Sequence, residues 1–127
     1  MKGRILIVEN EGAIRELYSY IFSELGYEVQ VASNGQEGLK KTEHFLPDLM
    51  ILAAAIPGMT VYEFTRRTDY CGATATRSIP FIITTADDST EDPLNQSFRS
   101  DPRCKGLMHK LSNPDRIMKM VKEALQI

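Results

Sequence analysis

A few polar and charged residues of this sequence follow short apolar runs, and their types could together form a binding site. Glu9 and Asn10 follow the first such run, Thr85 ends the fourth, and Lys110 follows the fifth. Carboxylate and amide oxygens are ligands for hard divalent cations, whereas a lysine ammonium pairs with anionic oxygens. Ala53 follows the third run and is the exception, because its side chain carries no polar atom. The chemistry therefore depends on whether the fold brings the ends of these runs together.

The apolar runs are typical of β-strands that are covered on both faces. They are short and rich in β-branched and aliphatic residues, and most lack the alternation of a half-exposed strand. The second run does alternate, as a strand near the edge of a sheet does. The predicted strands are Ile5–Val8, Tyr27–Val31, Leu49–Leu52, Phe81–Thr85 and Gly106–His109.

Helical patterns separate these strands. Gly26 stands where a glycine often follows a helix C-terminus, and Asn113 is a capping residue with proline after it. A short or irregular helix is predicted to begin near Pro93, and a loop is predicted from Tyr70 to Ser78. Three regular helices are predicted at Ile14–Leu25, at about Gln36–Phe45 and at Val61–Thr68. The last helix is predicted to begin at Pro114, and its buried face is expected to comprise Ile117, Met120, Val121, Ala124 and Leu125.

Strands that alternate with helices predict right-handed crossovers and a parallel sheet with helices on both faces, which is an α/β fold. In open sheets of this kind, ligands bind at the carboxyl ends of the strands, near the point where the strand order reverses. Glu9, Ala53, Thr85 and Lys110 all follow or end predicted strands, so we expect them to share one edge.

Composition limits the function classes. The chain has 127 residues, a net charge of −2 and scattered basic residues, so we expect one domain over residues 1–127 and no nucleic-acid surface. The first apolar run is too short for a signal peptide or a membrane span, which predicts a cytoplasmic protein. Cys71 and Cys104 belong to no CxxC pair, and we interpret them as reduced thiols.

The strand-end residues and their neighbours resemble a response-regulator receiver domain of the CheY-like superfamily. The run ending in Glu9-Asn10-Glu11 is similar to the receiver opening, in which a strand leads into two acidic residues. Pro47–Met59, with Pro-Gly four residues after Ala53, is similar to the phosphorylation segment, and Thr85-Ala86 and Lys110 match the hydroxyl and lysine positions. The resemblance covers nearly the whole chain. It implies a flavodoxin-like three-layer α/β/α sandwich whose five-stranded parallel sheet has the order 2-1-3-4-5.

The resemblance also puts Ala53 at the position where receivers carry the aspartate that is phosphorylated. That reaction needs a nucleophilic oxygen, and alanine has none. Asp48 begins the same strand and is about 16 Å away by strand rise, which is too far to replace it. We therefore predict a degenerate receiver, a pseudo-receiver, that is not an enzyme and is not phosphorylated on an aspartate.

Other positions depart from the family pattern as well. Asn10 replaces the acidic residue that binds the metal directly, so Glu9 and Asn10 are weak candidate ligands and magnesium binding is expected to be weak or absent. Leu111 replaces the proline that usually follows Lys110. Leu107 stands near the position where an aromatic switch residue is common.

The degenerate pocket implied by the resemblance comprises Glu9, Asn10, Ala53, Thr85 and Lys110. We interpret Glu9 as a solvated strand-end carboxylate rather than a metal ligand. A further hypothesis pairs Glu9 with Lys110 in an ion pair that closes the pocket. Thr85 either changes rotamer on partner binding or satisfies a local backbone group.

The expected function is a signalling module of a two-component phosphorelay that acts by protein–protein contact. The partner is expected to be a histidine kinase or another response regulator, and homodimerisation through the last helix is an alternative. In receivers the partner surface includes the fifth strand and the last helix, so Leu107 and Met118 are the candidate contacts. No cofactor, nucleic acid or membrane is expected as a ligand. The chain is either a stand-alone adaptor or a piece of a longer protein.

Two other functions stay open at this point. The first is an ordinary phosphoacceptor receiver in which Ala53 is an engineered replacement of aspartate, although that would leave Asn10, Leu107 and Leu111 unexplained. The second is a flavodoxin-like protein that binds a nucleotide or cofactor. It would need a loop after the first strand that accepts phosphate, and Glu9-Asn10-Glu11-Gly12 places negative charge there instead.

Overall fold

The computed structural model describes residues 3–68, 79–85 and 101–125. Strands and helices alternate along the first of these ranges, as the sequence predicts. The elements are β1 (Arg4–Val8), α1 (Gly12–Glu24), β2 (Glu28–Ala32), α2 (Gly35–Phe45), β3 (Leu49–Ala53), α3 (Val61–Thr68), β4 (Phe81–Thr85), β5 (Cys104–His109) and α4 (Pro114–Leu125).

The five strands form one parallel sheet in the order β2-β1-β3-β4-β5. This order confirms the predicted fold, a flavodoxin-like sandwich. The chain moves outward from β1 to β2 and then returns to β3 on the other side of β1, so the strand order reverses at β1 and β3. The crevice at the carboxyl ends of these two strands is where such folds bind ligands.

The sheet separates two cores, which explains why its central strands are apolar without alternation. Leu6 and Met50 point to the face that α2 and α3 cover, while Ile7 and Ile51 point to the face that α1 and α4 cover. Each of these four side chains is essentially inaccessible to water. Burial on both faces fixes the register of β1 and β3, and it thereby fixes where each strand ends.

Local capping signals behave as predicted. Gly26 has φ +96°, and the main-chain bonds from Gly26 to Ser23 and from Tyr27 to Phe22 close α1 in the pattern typical of a glycine after a helix. The Asn113 side chain accepts a hydrogen bond of 2.8 Å from the amide of Asp115 at the start of α4. In α4, Ile117 and Val121 are buried, and the other residues of the predicted stripe, Met120, Ala124 and Leu125, are partly buried against the same core.

Four of the five strands have boundaries that differ from the prediction by one or two residues. β1 begins at Arg4 rather than at Ile5, and β2 is Glu28–Ala32 rather than Tyr27–Val31. β3 includes Ala53, which pairs with Thr84, rather than ending at Leu52. β5 begins at Cys104 rather than at Gly106, because a register shift opposite Phe81 and Ile82 makes room for one extra residue in β5.

Other predictions fall on residues that the structure does not describe. These are the predicted loop at Tyr70–Ser78, the predicted helix near Pro93, and Cys71. Cys104 is a free thiol, and none of the described helices is long and apolar enough to cross a membrane.

Candidate functional site at the strand ends

The fold brings the predicted strand-end residues to one edge of the sheet. Ala53 ends β3 and lies beside Thr84, while Thr85 ends β4 and lies beside His109. The amide of Lys110 donates to the carbonyl of Thr85 over 2.9 Å, which continues the pairing one residue past β5. The sequence argument that these residues share one edge is therefore correct.

Glu9 and Lys110 form a buried ion pair at this edge. The Lys110 Nζ lies 2.8 Å from Glu9 Oε1, and the two side chains are 10% and 2% exposed. The interpretation of Glu9 as a solvated carboxylate is wrong, because Glu9 is buried and its carboxylate is paired with Lys110. The alternative hypothesis of an ion pair describes the contact that the structure contains. Charges this far from water are stable only when they are paired and hydrogen-bonded.

Lys110 has a second carboxylate partner in Glu11. Its Nζ lies 2.7 Å from Glu11 Oε1, and the Glu11 side chain is 53% exposed. Burial lowers the pKa of Lys110, but hydrogen bonds and charges from Glu11 and Glu9 outweigh it, so the pKa of the lysine is raised overall. Lys110 is therefore a permanent cation between two carboxylates at neutral pH.

Helix α1 anchors the main chain on both sides of this cluster. The buried hydroxyl of Tyr18 donates to the carbonyl of Lys110 over 2.7 Å, and the Arg15 guanidinium donates to the carbonyl of Glu9 over 2.7 Å. Burial, and after it the negative charge of Glu9, raises the pKa of the Tyr18 phenol far above its ordinary value. Tyr18 thus stays a neutral hydrogen-bond donor, and α1 holds the loops after β1 and β5 at fixed positions.

The remaining predicted site residues contribute little polar chemistry. Asn10 is exposed, and its main-chain amide donates to Glu9 Oε2 over 3.0 Å. Ala53 is 3% exposed, so a methyl group closes the end of β3. Thr85 is half-buried, and its carbonyl accepts from Lys110.

The donor set does not fit a divalent metal ion. Both Glu9 oxygens already accept hydrogen bonds, one from Lys110 and one from the Asn10 amide. Asn10 offers a neutral amide, and Ala53 offers no side-chain oxygen, although hard cations take six or more oxygen ligands. Within residues 3–68, 79–85 and 101–125, no three His, Cys, Asp or Glu side chains are grouped to hold a metal ion.

The two predicted partner-face residues lie on different sides of the sheet. Leu107 is partly buried against the core that α2 and α3 cover, whereas Met118 is a partly buried residue of α4. The loop between them carries Leu111, which is 70% exposed, and the peptide bonds of the described residues, Lys110-Leu111 included, are trans. His109 is half-buried, and its Nδ1 accepts from the Leu111 amide over 3.1 Å, which agrees with a structural role.

Sequence reasoning did not assign Glu11, Arg15 and Tyr18 to the site. Tyr18 has the helical spacing of a core residue and is one, and only its hydroxyl signals that a buried partner must exist. Glu11 was noted as part of the acidic opening, but nothing in the spacing shows that its side chain turns toward the loop after β5. These contacts come from the tertiary packing of α1 against the sheet edge.

Comparisons with known proteins agree with this arrangement. A family model described as "Response regulator receiver domain" matches residues 5–122. The transcriptional regulatory protein TrcR of Mycobacterium tuberculosis is 27% identical over 123 residues, which covers 89% of this chain and 48% of that protein. The alkaline phosphatase synthesis transcriptional regulatory protein PhoP of Bacillus subtilis is 40% identical over 63 residues, 50% of this chain and 26% of that protein. The chain thus spans less than half the length of either relative.

Solved structures give the same result. A response regulator receiver domain protein of Methanospirillum hungatei superposes with a TM-score of 0.80 at 28% identity, covering 96% of this chain and 92% of that chain. The response regulator protein TrrA of Thermotoga maritima, solved in complex with Mg(2+)-BeF, superposes with a TM-score of 0.74 at 30% identity, covering 96% of this chain and 98% of that chain.

Proposed function

Because the chain belongs to the response regulator receiver domain family of two-component signalling, we propose that it is a receiver module that signals by contact with a protein partner and without aspartyl phosphorylation. The single observation that carries this proposal is Ala53. It ends β3 at the switch point of the sheet and is buried, and its side chain has no atom that can accept a phosphoryl group.

No carboxylate within residues 3–68, 79–85 and 101–125 takes the place of the missing one. Ala54 and Ala55 follow Ala53 and have no side-chain oxygen either. Asp48 lies at the opposite end of β3, where its carboxylate accepts a hydrogen bond of 2.9 Å from the Arg4 amide. Glu9, a carboxylate of the same pocket, has both oxygens engaged in hydrogen bonds, with the Asn10 amide and with Lys110.

The rest of the pocket supports the same function. The oxygens of Glu9 are hydrogen-bonded, and Asn10 contributes no charge, so the pocket lacks the ligands that would bind a divalent ion and neutralise a phosphoryl group. Lys110 is already neutralised by Glu9 and Glu11. Restoring an aspartate at position 53 alone would leave these features unchanged.

Phosphoryl uptake tests the proposed function directly. A small-molecule phosphodonor and magnesium are added to the native chain, to Ala53→Asp and to Ala53→Asp/Asn10→Asp. Uptake is measured by intact mass, and an active receiver of the same family is the positive control. We expect no uptake by the native chain and none by Ala53→Asp. Uptake by the native chain would refute the proposal. Stable uptake by Ala53→Asp would favour the rival function, an ordinary phosphoacceptor receiver that carries an alanine replacement.

The pairing of Ala53→Asp with Ala53→Asp/Asn10→Asp separates the two missing carboxylates. If only the double variant takes up phosphoryl, the neutral Asn10 is the reason that Ala53→Asp is inert. Titration of the native chain with magnesium, followed by amide chemical shifts of Glu9 and Asn10, tests the metal site. We expect no saturable shift in the range in which active receivers bind the ion.

The partner is proposed to be a histidine kinase or another response regulator, bound in part through Met118. An affinity capture compares the native chain with Met118→Glu and with the control Gln36→Glu, which adds the same charge at an exposed site of α2. Loss of a captured kinase or regulator with Met118→Glu alone supports this face. If Met118→Glu leaves every captured protein in place, the proposed face is wrong.

A further inference from the structure

We propose that the Glu11 carboxylate forms a reversible ion pair with Lys110, which we call the latch. The latch joins the loop after β1 to the loop after β5, and Glu11 occupies the position on Lys110 that an external anion would otherwise take. This inference rests on the proposed function, because a pocket that is not phosphorylated offers Lys110 no phosphoryl group. The latch is the ion pair between Lys110 Nζ and Glu11 Oε1, which are 2.7 Å apart.

The two carboxylates that contact Lys110 are not equivalent. Glu9 is buried, and its two oxygens accept from Lys110 and from the Asn10 amide, so its displacement would break two hydrogen bonds of a buried carboxylate. The Glu11 side chain is 53% exposed and can exchange Lys110 for water. Glu9 is therefore the permanent partner that neutralises Lys110, and Glu11 is the removable one.

The position of Glu11 in the chain shows that its contact with Lys110 replaces an ordinary local contact. Glu11 is the N-cap of α1, yet its side chain makes no capping hydrogen bond. Its carbonyl accepts from the Arg15 amide in the normal helical manner. Ser, Thr, Asp and Asn are the residues that cap helices well. The longer glutamate side chain instead reaches across to Lys110.

The segment that the latch controls is the loop from Lys110 to Ser112. The main chain of Lys110 is fixed on both sides, by the Thr85 carbonyl and by the Tyr18 hydroxyl. Beyond it, the amides of Leu111 and Ser112 bond only locally, to His109. The Lys110 side chain is thus the point at which this exposed loop is tied to the start of α1.

Salt offers a way to open the latch without changing the sequence. A half-exposed ion pair is screened at high ionic strength, while a buried pair is screened much less. The Glu11 contact therefore weakens in salt, and the Glu9 contact persists. A charged group of a partner that competes for either half of the latch would have the same effect.

Amide hydrogen exchange of the full chain, followed by NMR, tests this inference. The variants are Glu11→Gln, which removes the charge, and Glu11→Asp, which keeps the charge and is a better N-cap but is one methylene shorter. Glu16→Gln is the control, because it removes an exposed charge five residues further along the chain, in α1. The amides read are those of Lys110 and Ser112, with Leu46 at the far end of the sheet as reference.

We expect Glu11→Gln and Glu11→Asp to exchange roughly two- to five-fold faster at Lys110 and Ser112, the factor that a half-exposed ion pair supplies, with no change at Leu46. Raising the salt concentration from about 0.05 M to about 1 M should accelerate the same amides in the native chain and in Glu16→Gln, but not in Glu11→Gln. Because Glu11→Asp improves the cap, faster exchange in this variant excludes a loss of helix stability as the cause.

The inference is overturned if both Glu11 variants exchange like Glu16→Gln, or if exchange rises equally at Leu46. No phosphodonor is present in this experiment, so its result does not depend on whether position 53 is phosphorylated. A latch that fails leaves the proposed function intact. Conversely, phosphoryl uptake by the native chain would refute the proposed function and leave the contact between Glu11 and Lys110 as it is.

Discussion

Replacement of Lys110 by methionine tests most directly whether the buried ion pair stabilises the fold. Methionine keeps most of the apolar stem and removes the ammonium, so Glu9 is left buried without its cation. Glu11 can turn into solvent, because its side chain is half-exposed. The cost of the substitution therefore falls mainly on the Glu9 carboxylate.

Removal of one partner of a buried ion pair typically costs about 3–5 kcal/mol. Lys110 retains 10% side-chain exposure, which allows some water to reach the carboxylate, so we expect the lower end, about 3 kcal/mol. For a domain of this size that corresponds to a fall in melting temperature of roughly 10 °C. The Glu9–Lys110 ion pair differs from a surface ion pair in its burial and not in the distance between its charged atoms.

The matched control is an ion pair of the same length on the surface. Arg67 and Glu63 are also 2.8 Å apart, but their side chains are 50% and 38% exposed. We expect Glu63→Gln to change the free energy of unfolding by less than about 0.5 kcal/mol. Both variants and the native chain are unfolded in urea and followed by circular dichroism, with the slope checked for a change in the denatured state.

A double variant separates the charge from the packing. Glu9→Gln/Lys110→Met keeps an acceptor for the Asn10 amide and leaves no buried charge unpaired, so it should recover about 1–2 kcal/mol relative to Lys110→Met. The reasoning is refuted if Lys110→Met costs no more than Glu63→Gln. It is also refuted if the double variant is no more stable than Lys110→Met, because the loss would then come from the methionine side chain.

Two further outcomes are expected. Tyr18→Phe should lower the free energy of unfolding by about 1–2 kcal/mol, because the buried Lys110 carbonyl loses its donor; Tyr20→Phe, at an exposed site, should stay within about 0.5 kcal/mol in the same assay. Hydrogen bonds from Arg103 hold the pKa of Asp101 below its ordinary value, so ionised Asp101 stabilises the fold above that value, and the contribution is lost as the pH falls through the folded pKa. Urea unfolding of Asp101→Asn should therefore show a smaller loss of stability between about pH 5 and pH 2 than the native chain, and equal losses would contradict this assignment.

The fold was predictable because its signals are local and agree with one another. Gly26 and Asn113 end and begin helices through contacts within a few residues, and the apolar runs mark strands that helices cover on both faces. The start of β5 was missed because Lys105 interrupts the apolar pattern before the predicted strand at Gly106. Cys104 nevertheless pairs with Phe81 across a register shift, and no local pattern indicates that pairing.

The candidate site was predictable in position but only partly in chemistry. Strand ends in a parallel sheet must lie at one edge, so the placement of Glu9, Ala53 and Lys110 follows from the sequence. The burial of Glu9 does not follow, because it depends on tertiary contacts such as the ion pair with Lys110. The role of Glu11 does not follow either, since the direction of an exposed side chain is set by the charges that surround it in the folded state.

The arrangement around Lys110 explains why Ala53 is more than a missing nucleophile. Lys110 is one cation shared by two carboxylates, Glu9 and Glu11, so the cluster carries a net charge of −1. An aspartate at position 53 would bring a third carboxylate to the same edge of the sheet, and like charges brought together out of water are unfavourable unless a cation offsets them. The methyl group of Ala53 avoids this repulsion. The charges of the pocket are therefore balanced best without a carboxylate at position 53. Restoring one aspartate should add a negative charge without restoring phosphorylation.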